Sequence, residues 1–359
     1  MSKKKCIFVA AMKKGWKIAL CIGTPILIAV MVIGIGFGVS YYRLEVCNFK
    51  SYDGDGHGYY VYPGMSLDSL KTLMQADYKI ISEAGWRMDV RRAAFAAPKA
   101  GYYRFPAHIG DKHLIRRLQL GQETPVRISW TNAIRTNAGL AHHLAKQLLL
   151  DSADVVTLLE DDSYLKPLGF DHETARCLFI PNTYEVYWTI SAEQLFNRMA
   201  KEYNAFWNDK RRHQADSLGL SPIEVSILAS IVESETHNKK EHPAIASLYL
   251  NRLRKGMLLQ ACPTAIYANG DFKLRRVLKR HLKIDSPYNT YKYPGLPPGP
   301  IRCAYGETMD IVLNAPKTDY IYMVANPDFS GTHIFSASYA NHARLAKEYQ
   351  HELNERKIR

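Results

Sequence analysis

The chain has 359 residues, which is enough to bury a sizeable core and to form more than one domain. Hydrophobic residues make up 47% of it and charged residues 23%, and this ordinary balance excludes an intrinsically disordered protein. The net charge is +13, but residues 1–43 hold seven basic residues and no acid, which leaves 40 basic against 34 acidic residues, or +6, for the rest. A balance this mild gives no reason to expect nucleic acid as a partner.

The N-terminal segment has the pattern of a membrane anchor. Six lysines precede residue 18, and residues 18–40 then carry no charge. About 20 apolar residues span a bilayer as a helix, so we predict a transmembrane helix over 18–41 and a basic tail over 1–17. The lysines place that tail in the cytoplasm and the rest of the chain beyond the inner membrane. A cleaved signal peptide is the alternative, but its apolar region would be shorter, about 7–15 residues.

The cysteines and histidines form no recognisable disulfide or metal framework. Six cysteines are widely spaced without a CxxC, and the sequence does not say which of them would pair. "DGDGHG" lacks acids that a calcium loop needs, so a turn is expected there. His237 and His242 are five residues apart and do not share a helical face, unlike the two histidines of a zinc-protease helix. We therefore expect no metal and no cofactor.

Residues 46–170 read as a small α+β unit of short strands alternating with helices. A strand, a Pro-Gly turn and a helix starting near Ser66 are predicted within residues 59–74. Further strands are predicted at 101–106 and 125–130, with one helix that Asp111 caps and another that opens at Thr136 or Asn137. The unit resembles a LysM-type module, and LysM modules bind amino sugars. The alternative is a spacer that positions the next domain.

The stretch "SILASIVESET" (residues 226–236) places two acids at the end of an apolar helix. A capping box with proline at the first helical position opens this helix at Ser221, and its apolar residues cover nearly all faces, which predicts a buried helix. At about 100° per residue, Glu233 and Glu235 point about 200° apart. Burial and the helix dipole both raise the pKa of a carboxyl group there, as a general acid requires. Alternatively, both are ordinary acids at a fraying helix end, paired with nearby lysines or Arg252.

Two phrases in this part of the chain are recognisable: "ASIVESET" at the end of the apolar helix, and "LYLNRLRKGMLLQACPTAIYA" after it. They resemble the catalytic helix and the asparagine-arginine-leucine segment of the YceG/MltG family of membrane-anchored endolytic murein transglycosylases. The resemblance extends from residue 228 to about 349. "SPYNTYKYPGLPPGPI" is the most specific match, because so long a run of unusual composition rarely recurs by chance. "APKTDYIYMVANPDFSGTHIFSASYANHARLAKEY" resembles the closing strand pair and helix. The predicted fold class is accordingly α+β, with the anchor, the LysM-like subdomain and a mixed α+β catalytic domain over 171–359.

The resemblance implies a set of site residues. Glu235 corresponds to the catalytic acid of the family, on its buried helix. The residues expected to line the glycan cleft are Gln260, Tyr267, Asn289, Thr290 and Tyr291, and those expected to support the site are Glu233, Asn251 and Arg252. Cys262 and Asn182 stand where many relatives have an aspartate.

The implied reaction needs a single acid. Protonated Glu235 would cleave the bond between N-acetylmuramic acid and N-acetylglucosamine, and the muramic acid 6-hydroxyl would close onto its own C1 to give a 1,6-anhydro end. Cutting nascent peptidoglycan strands internally would limit their length, with penicillin-binding proteins as family-level partners. One alternative is a non-catalytic, membrane-anchored peptidoglycan-binding scaffold, and another is a hydrolase that uses Glu233 as its second carboxylate. The basic segment 274–283 is predicted as a solvated helix face near anionic lipid or peptide-stem carboxylates rather than as a nucleic-acid site.

Overall fold

A computed structural model of the protein describes residues 23–274 and 277–355, and it has a mixed α+β architecture. The chain divides into two compact units. The first comprises the described residues through Val126 together with Tyr187–Thr189, and the second comprises Arg127–Val186 and the residues from Ile190 onward. The predicted boundary between residues 170 and 171 falls inside the second unit and stays a prediction.

The chain enters the first unit through a long apolar helix, α1 (Gly23–Val46). Its mean hydropathy is 2.0 and none of its most apolar part is buried in the protein, so its length and composition are compatible with a membrane anchor. The last turn, Tyr42–Val46, is a π-helix. The predicted basic tail and the first residues of the predicted span lie outside the described residues.

The rest of the first unit consists of short strands and helices around an aromatic core. Its elements are β1 (Phe49–Ser51), β2 (His57–Val61), α2 (Leu67–Met74), β3 (Tyr78–Ile80), α3 (Glu83–Arg92), β4 (Gly101–Phe105), β5 (His108–Ile109) and α4 (Asp111–Leu120). One antiparallel sheet has the order β3-β1-β5, and β2 pairs with β4 in a second. The predicted alternation of strands and helices is confirmed, whereas the likeness to a LysM-type module stays a prediction.

Two helix starts in this unit show how well local sequence specifies a cap. Ser66 caps α2 as predicted, because its side chain accepts a hydrogen bond from the backbone N–H of Ser69. At α4 the cap is Gly110, and Asp111 is the first helical residue. The Asp111 carboxylate is instead buried and accepts from Asn48 Nδ2 at 2.9 Å. A tertiary hydrogen bond thus replaces the predicted local one.

The second unit is mainly helical. It contains the pair β6 (Val126–Ser129) and β7 (Thr183–Val186), the antiparallel pair β8 (Tyr322–Ala325) and β9 (His333–Ser336), and the helices α5 (Asn137–Ala145), α6 (Ser152–Glu160), α7 (Asp162–Leu165), α8 (Ala192–Phe206), α9 (Asp209–Leu218), α10 (Pro222–Glu235), α11 (His242–Arg254), α12 (Cys262–Asn269), α13 (Gly306–Leu313) and α14 (Tyr339–Glu355). The predicted closing strand pair and helix are therefore confirmed as β8, β9 and α14.

Helix α10 is the centre of this unit. Ser221 and Glu224 form the predicted capping box, and Val225 to Glu233 are all buried. Its neighbours are α11, α12 and α13. Residues 286–301 form a proline-rich loop. Ser230 Oγ accepts a hydrogen bond from the backbone N–H of Ile301 at 3.1 Å, and this bond fixes the end of the proline-rich loop to the helix. The end of α10 is thereby held in a fixed position within the unit.

The helix predicted over residues 274–283 is wrong for the described part of that segment, and residues 275 and 276 lie outside the described residues. In the described part of this segment, the regular structure is the short 3-10 helix His281–Lys283. Asn269 Nδ2 donates to the carbonyl oxygen of His281 at 3.0 Å, so the segment is fixed by a contact from α12. Its apolar spacing suits a helix, but the tertiary contacts favour an irregular path.

Candidate active site

A cleft of about 300 Å³ opens at the C-terminal end of α10. Its walls come from α10, α11, the loop before α12, the proline-rich loop and the strands β8 and β9. The residues that line it are Glu235, Leu248, Tyr249, Arg252, Leu259, Gln260, Cys262, Tyr291, Met323, Val324, Ala325, His333 and His342. Glu235 is the acid in this lining, and it lies among apolar, aromatic and basic side chains.

Glu235 is the last residue of α10 and is partly buried. Its Oε1 accepts a hydrogen bond from the Tyr249 hydroxyl at 2.5 Å. Burial raises the pKa of Glu235 to about 7, although the Tyr249 hydrogen bond and the charges of His333 and Arg252 act in the opposite direction. Desolvation therefore prevails, and the carboxyl group is half protonated near neutral pH, as a general acid requires.

Tyr249 is placed against the acid by the packing of α11 on α10. Its side chain is 1% exposed, in the apolar interface between the two helices. Burial, followed by the neighbouring Glu235 charge, raises the pKa of Tyr249 well above its usual value. The phenol consequently keeps its proton and acts as the donor in the hydrogen bond to Glu235.

Arg252 joins the loop before α12 to the start of β8. Its Nε donates to the carbonyl oxygen of Ile321 at 2.7 Å, and its guanidinium also donates to the carbonyl of Leu259 at 2.7 Å. Because these bonds fix the guanidinium beside the cleft, Arg252 both shapes the wall and supplies positive charge near Glu235. This placement fits the predicted supporting role.

His333 enters the cleft from β9 and is held by a buried glutamate. Glu241 accepts from the backbone N–H of His333 at 2.6 Å and contacts its Nδ1 at 3.0 Å. Because a carboxylate accepts, Nδ1 carries the proton, and the neutral ring then presents Nε2 as an acceptor. The pair thus fixes the orientation of the ring and the tautomer of its neutral form, and the positive charge of the doubly protonated ring would lower the pKa of Glu235.

Glu233 lies on the other side of α10, away from the cleft. It is 5% exposed, and it accepts from Asn132 Nδ2 at 2.9 Å and from the backbone N–H of Tyr305 at 2.8 Å. Burial raises its pKa, while these donors act in the opposite direction. Its hydrogen bonds join α10 to the segments that contain Asn132 and Tyr305, which is a structural role.

The predicted glycan-binding residues fall into two groups. Gln260 and Tyr291 line the cleft with Glu235. Asn289 is fully buried, and its Nδ2 donates to the carbonyl oxygens of Leu282 and Ile284. Thr290 is also buried, and its Oγ1 lies 2.7 Å from Thr264 Oγ1. The second group therefore holds the loop that carries Tyr291.

Two further predicted residues also lie outside the cleft lining. The Tyr267 hydroxyl accepts from the Arg176 guanidinium at 2.9 Å, and its ring lies 4.6 Å from that of Tyr288, centroid to centroid. Asn251 Nδ2 donates to the carbonyl oxygens of Thr318 and Tyr320 and so fixes the chain before β8. Both residues contact the elements around the site.

Cys262 is an exposed member of the lining. Its Sγ lies 3.1 Å from the Tyr291 hydroxyl. The described cysteines, Cys47, Cys177, Cys262 and Cys303, are all unpaired. Cys262 therefore presents a free thiol at the edge of the cleft.

Comparison with known proteins agrees with this architecture. The YceG-like family matches residues 59–348. The chain belongs to the YceG-like family. An endolytic murein transglycosylase of Bacillus subtilis is 28% identical over 310 residues, which cover 82% of this chain and 84% of that protein. A protein of the same name from Streptococcus pneumoniae is 25% identical over 70% of this chain, which spans 50% of that relative's length.

A solved structure supports the membership. The crystal structure of a yceG-like protein from Listeria monocytogenes matches with a TM-score of 0.54 at 27% identity. The match covers 81% of this chain and 99% of that one. Most of the YceG-like architecture described above is therefore shared with a protein of known structure.

The YceG-like resemblance did not identify every residue of the cleft. Tyr249, His333 and His342 line the cleft, and Glu241 holds His333, yet none of the four was among the predicted site residues. All four lie within residues 59–348, which match the family. The available signal was the spacing in α11, which places Tyr249 on the same helical face as Arg252. For His333 the signal was the register of β9, which can be assigned only when its partner β8 is known.

Proposed function

We propose that this YceG-like protein is an endolytic lytic transglycosylase of peptidoglycan and that Glu235 is its catalytic acid. The observation that carries the proposal is a glutamate whose pKa is raised to about 7 by burial, at the edge of a 300 Å³ cleft. The names of the relatives supply the substrate class, since those from Bacillus and Streptococcus are endolytic murein transglycosylases.

The reaction follows from one carboxyl group acting twice. Protonated Glu235 donates its proton to the oxygen that links N-acetylmuramic acid to the next N-acetylglucosamine, and positive charge develops at C1 as that bond breaks. The resulting carboxylate takes the proton from the muramic acid 6-hydroxyl, whose oxygen bonds to C1. The products are a 1,6-anhydro end and a free N-acetylglucosamine hydroxyl, and no water is consumed. The 6-hydroxyl and C1 belong to the same sugar, and this proximity makes a second carboxylate unnecessary.

The surroundings of Glu235 suit both halves of this cycle. The apolar lining keeps the acid protonated before the bond breaks. After the proton has left, the Tyr249 hydroxyl and the charges of Arg252 and His333 stabilise the carboxylate. The same group can therefore act as acid and then as base near neutral pH.

The alternative functions receive less support. A hydrolase that uses Glu233 requires both carboxylates to face the sugar. Glu233 instead lies outside the cleft lining, and its oxygens accept from Asn132 and Tyr305. A non-catalytic scaffold is not favoured either, because the relatives carry the name of an enzyme.

The cellular setting follows from the anchor and the substrate. Helix α1 is compatible with a single membrane span, and the lysines before it favour a cytoplasmic N-terminus. The YceG-like unit would then cut nascent strands beyond the inner membrane and limit their length. Penicillin-binding proteins, which polymerise these strands, are the proposed partners, and the LysM-like unit would hold the glycan.

The decisive experiment is mass spectrometry of the products from uncrosslinked peptidoglycan. The full-length protein in detergent is compared with Glu235→Gln and with the matched control Glu233→Gln. We expect anhydro-muramic ends from the wild-type protein and from the control, and none from Glu235→Gln. Ends heavier by one water would establish a hydrolase instead, and unchanged cleavage by Glu235→Gln would reject Glu235 as the acid.

A further inference from the structure

A second concave surface in the same unit is rich in positive charge. This groove, about 670 Å³ in volume, lies beside the start of α5 and the segment that follows α10. Three permanently charged side chains, Arg135, Lys146 and Arg302, line it together with three histidines, His142, His143 and His237. No carboxylate is among its lining residues in the described part of the chain. We call this surface the cationic groove.

The cations of the groove are not neutralised by ion pairs. Within the described residues, none of the six basic side chains forms a salt bridge with a carboxylate. The charge of Glu233 acts on Arg302, but the Glu233 oxygens already accept hydrogen bonds from Asn132 and from the backbone of Tyr305. Like charges gathered in a concave surface without counter-ions create a strong attraction for an anion.

The side chain of Arg302 gives an independent indication that the groove binds an anion. Its Nε is buried and has no hydrogen-bond partner among the described residues. Burial and the like charge of Arg135 both oppose the charged form of Arg302 and so lower its pKa. A buried donor without an acceptor costs free energy that a bound oxyanion would recover.

Aromatic and apolar surface adjoins the charges. The Arg135 guanidinium lies 5.0 Å from the centre of the Phe272 ring, which is exposed at the edge of the groove. A narrow apolar slot of about 60 Å³ shares Arg135, Arg302 and Phe272 with the groove. The groove therefore offers charge and apolar contact side by side, as an acidic peptide requires.

The slot lies next to residues that adjoin the cleft of Glu235. Ser234 and Pro263 line the slot, and they are the chain neighbours of Glu235 and Cys262, which line the cleft. The slot and the cleft therefore approach each other at these two pairs of adjacent residues. Muramic acid carries a short peptide stem with free carboxylates, so a suitable anion accompanies each cleavable bond.

We propose that the cationic groove binds the carboxylates of the peptide stem on the muramic acid at the cutting site. This inference rests on the proposed function, because the stem is part of a peptidoglycan strand. Arg135, Lys146 and Arg302 supply the charge-assisted hydrogen bonds, and Phe272 packs against the apolar part of the stem. The groove thereby makes the enzyme prefer strands whose stems have not been removed.

The test uses binding, which does not depend on turnover. A stem-bearing N-acetylglucosamine–muramic acid disaccharide and the same disaccharide without its stem are titrated calorimetrically into full-length Glu235→Gln protein. Into that background we introduce Arg135→Gln together with Lys146→Gln, both on the surface of the groove. The matched control is Lys210→Gln, an exposed lysine on α9 outside the groove.

We expect the double variant to weaken binding of the stem-bearing sugar about tenfold, through the loss of charge-assisted hydrogen bonds. The control should leave that affinity unchanged, and binding of the stem-free sugar should be the same in all proteins. Equal weakening for both sugars would overturn the proposal. The proposal would also be overturned if inorganic phosphate bound as tightly as the stem-bearing sugar. The same holds if a sugar that carries a phosphate instead of the stem displaced the stem-bearing sugar.

Cleavage assays separate this proposal from the proposed function. In a background with intact Glu235, the double variant should raise KM for stem-bearing strands about tenfold with kcat unchanged, and it should cut stem-free strands like the wild type. If the wild-type protein cuts neither substrate but still binds the stem-bearing sugar through the groove, the catalytic proposal fails and the stem site stands. If cleavage is normal and the groove variant has no effect on KM or affinity, the stem site fails alone.

Discussion

Replacing Tyr249 by phenylalanine tests the origin of the acid strength of Glu235. The substitution removes one hydroxyl from a side chain that is 1% exposed and keeps the ring that packs between α10 and α11. The hydroxyl donates to Glu235 Oε1 at 2.5 Å and lowers the pKa of Glu235. Without that donor the carboxylate loses stabilisation, and the protonated form persists to higher pH.

The size of the effect follows from the hydrogen bond. A hydrogen bond to a charged group contributes about 1.5–3 kcal/mol, and each 1.36 kcal/mol corresponds to about one pH unit. In the wild-type protein we expect activity to fall as pH rises through about 7, where Glu235 loses its proton. In Tyr249→Phe this alkaline limb should move upward by about one to two pH units.

The assay is the rate of formation of anhydro-muramic ends from uncrosslinked strands between pH 5 and 10, at saturating substrate. The matched control is Tyr291→Phe, which removes another cleft hydroxyl, one that contacts Cys262 and has no hydrogen bond to Glu235 among the described residues. Its alkaline limb should stay in the wild-type position. An unchanged limb in Tyr249→Phe, or a shift to lower pH, would refute the reasoning.

Three further predictions concern the same helix and cleft. Folding raises the pKa of Glu235 from 4.5 to about 7, so this acid increasingly destabilises the fold as pH rises from 4.5 to 7, and the full cost persists above pH 7. Glu235→Gln should therefore increase the free energy of unfolding at pH 8 by about 3 kcal/mol and have little effect at pH 4.5. Urea unfolding at both pH values measures this difference, and equal effects at the two values would contradict it. Glu241→Gln weakens the hydrogen bond that orients His333 and should lower kcat about tenfold. Circular dichroism should show that the variant is folded. An unchanged kcat would show that the tautomer of His333 is irrelevant to catalysis. Ser221→Ala removes the cap of α10 and should cost about 1 kcal/mol of stability in thermal unfolding, with the pH profile of catalysis unchanged; a loss near zero would mean that packing alone fixes this helix start.

The parts of the fold that sequence predicted are those set by local rules. The capping box at Ser221 formed as expected, because it depends on residues three positions apart. The burial of α10 was also predictable, since its apolar residues cover nearly all faces. The failed helix over residues 274–283 shows the limit of periodicity, because contacts from α12 decide the path of that segment.

The candidate site was predictable only in part, for a related reason. A resemblance places a residue in a motif but does not give the direction of its side chain. Asn289 and Tyr291 belong to one phrase, yet Asn289 points inward to carbonyl oxygens and Tyr291 lines the cleft. The hydroxyl that donates to Glu235 belongs to Tyr249, and the carboxylate that accepts from His333 belongs to Glu241. Both partners come from other elements, so tertiary packing had to supply them.

The difference between the two glutamates of α10 shows what makes one of them suitable as an acid. Both are at the same helix end, and burial raises the pKa of each. Glu233 accepts at both carboxylate oxygens, from Asn132 and from the backbone of Tyr305. Glu235 accepts only at Oε1, so its Oε2 has no protein donor among the described residues and can meet a substrate oxygen in the cleft. Burial of the helix end weakens both acids, and the number of donors around each then separates the structural acid from the one that can transfer a proton.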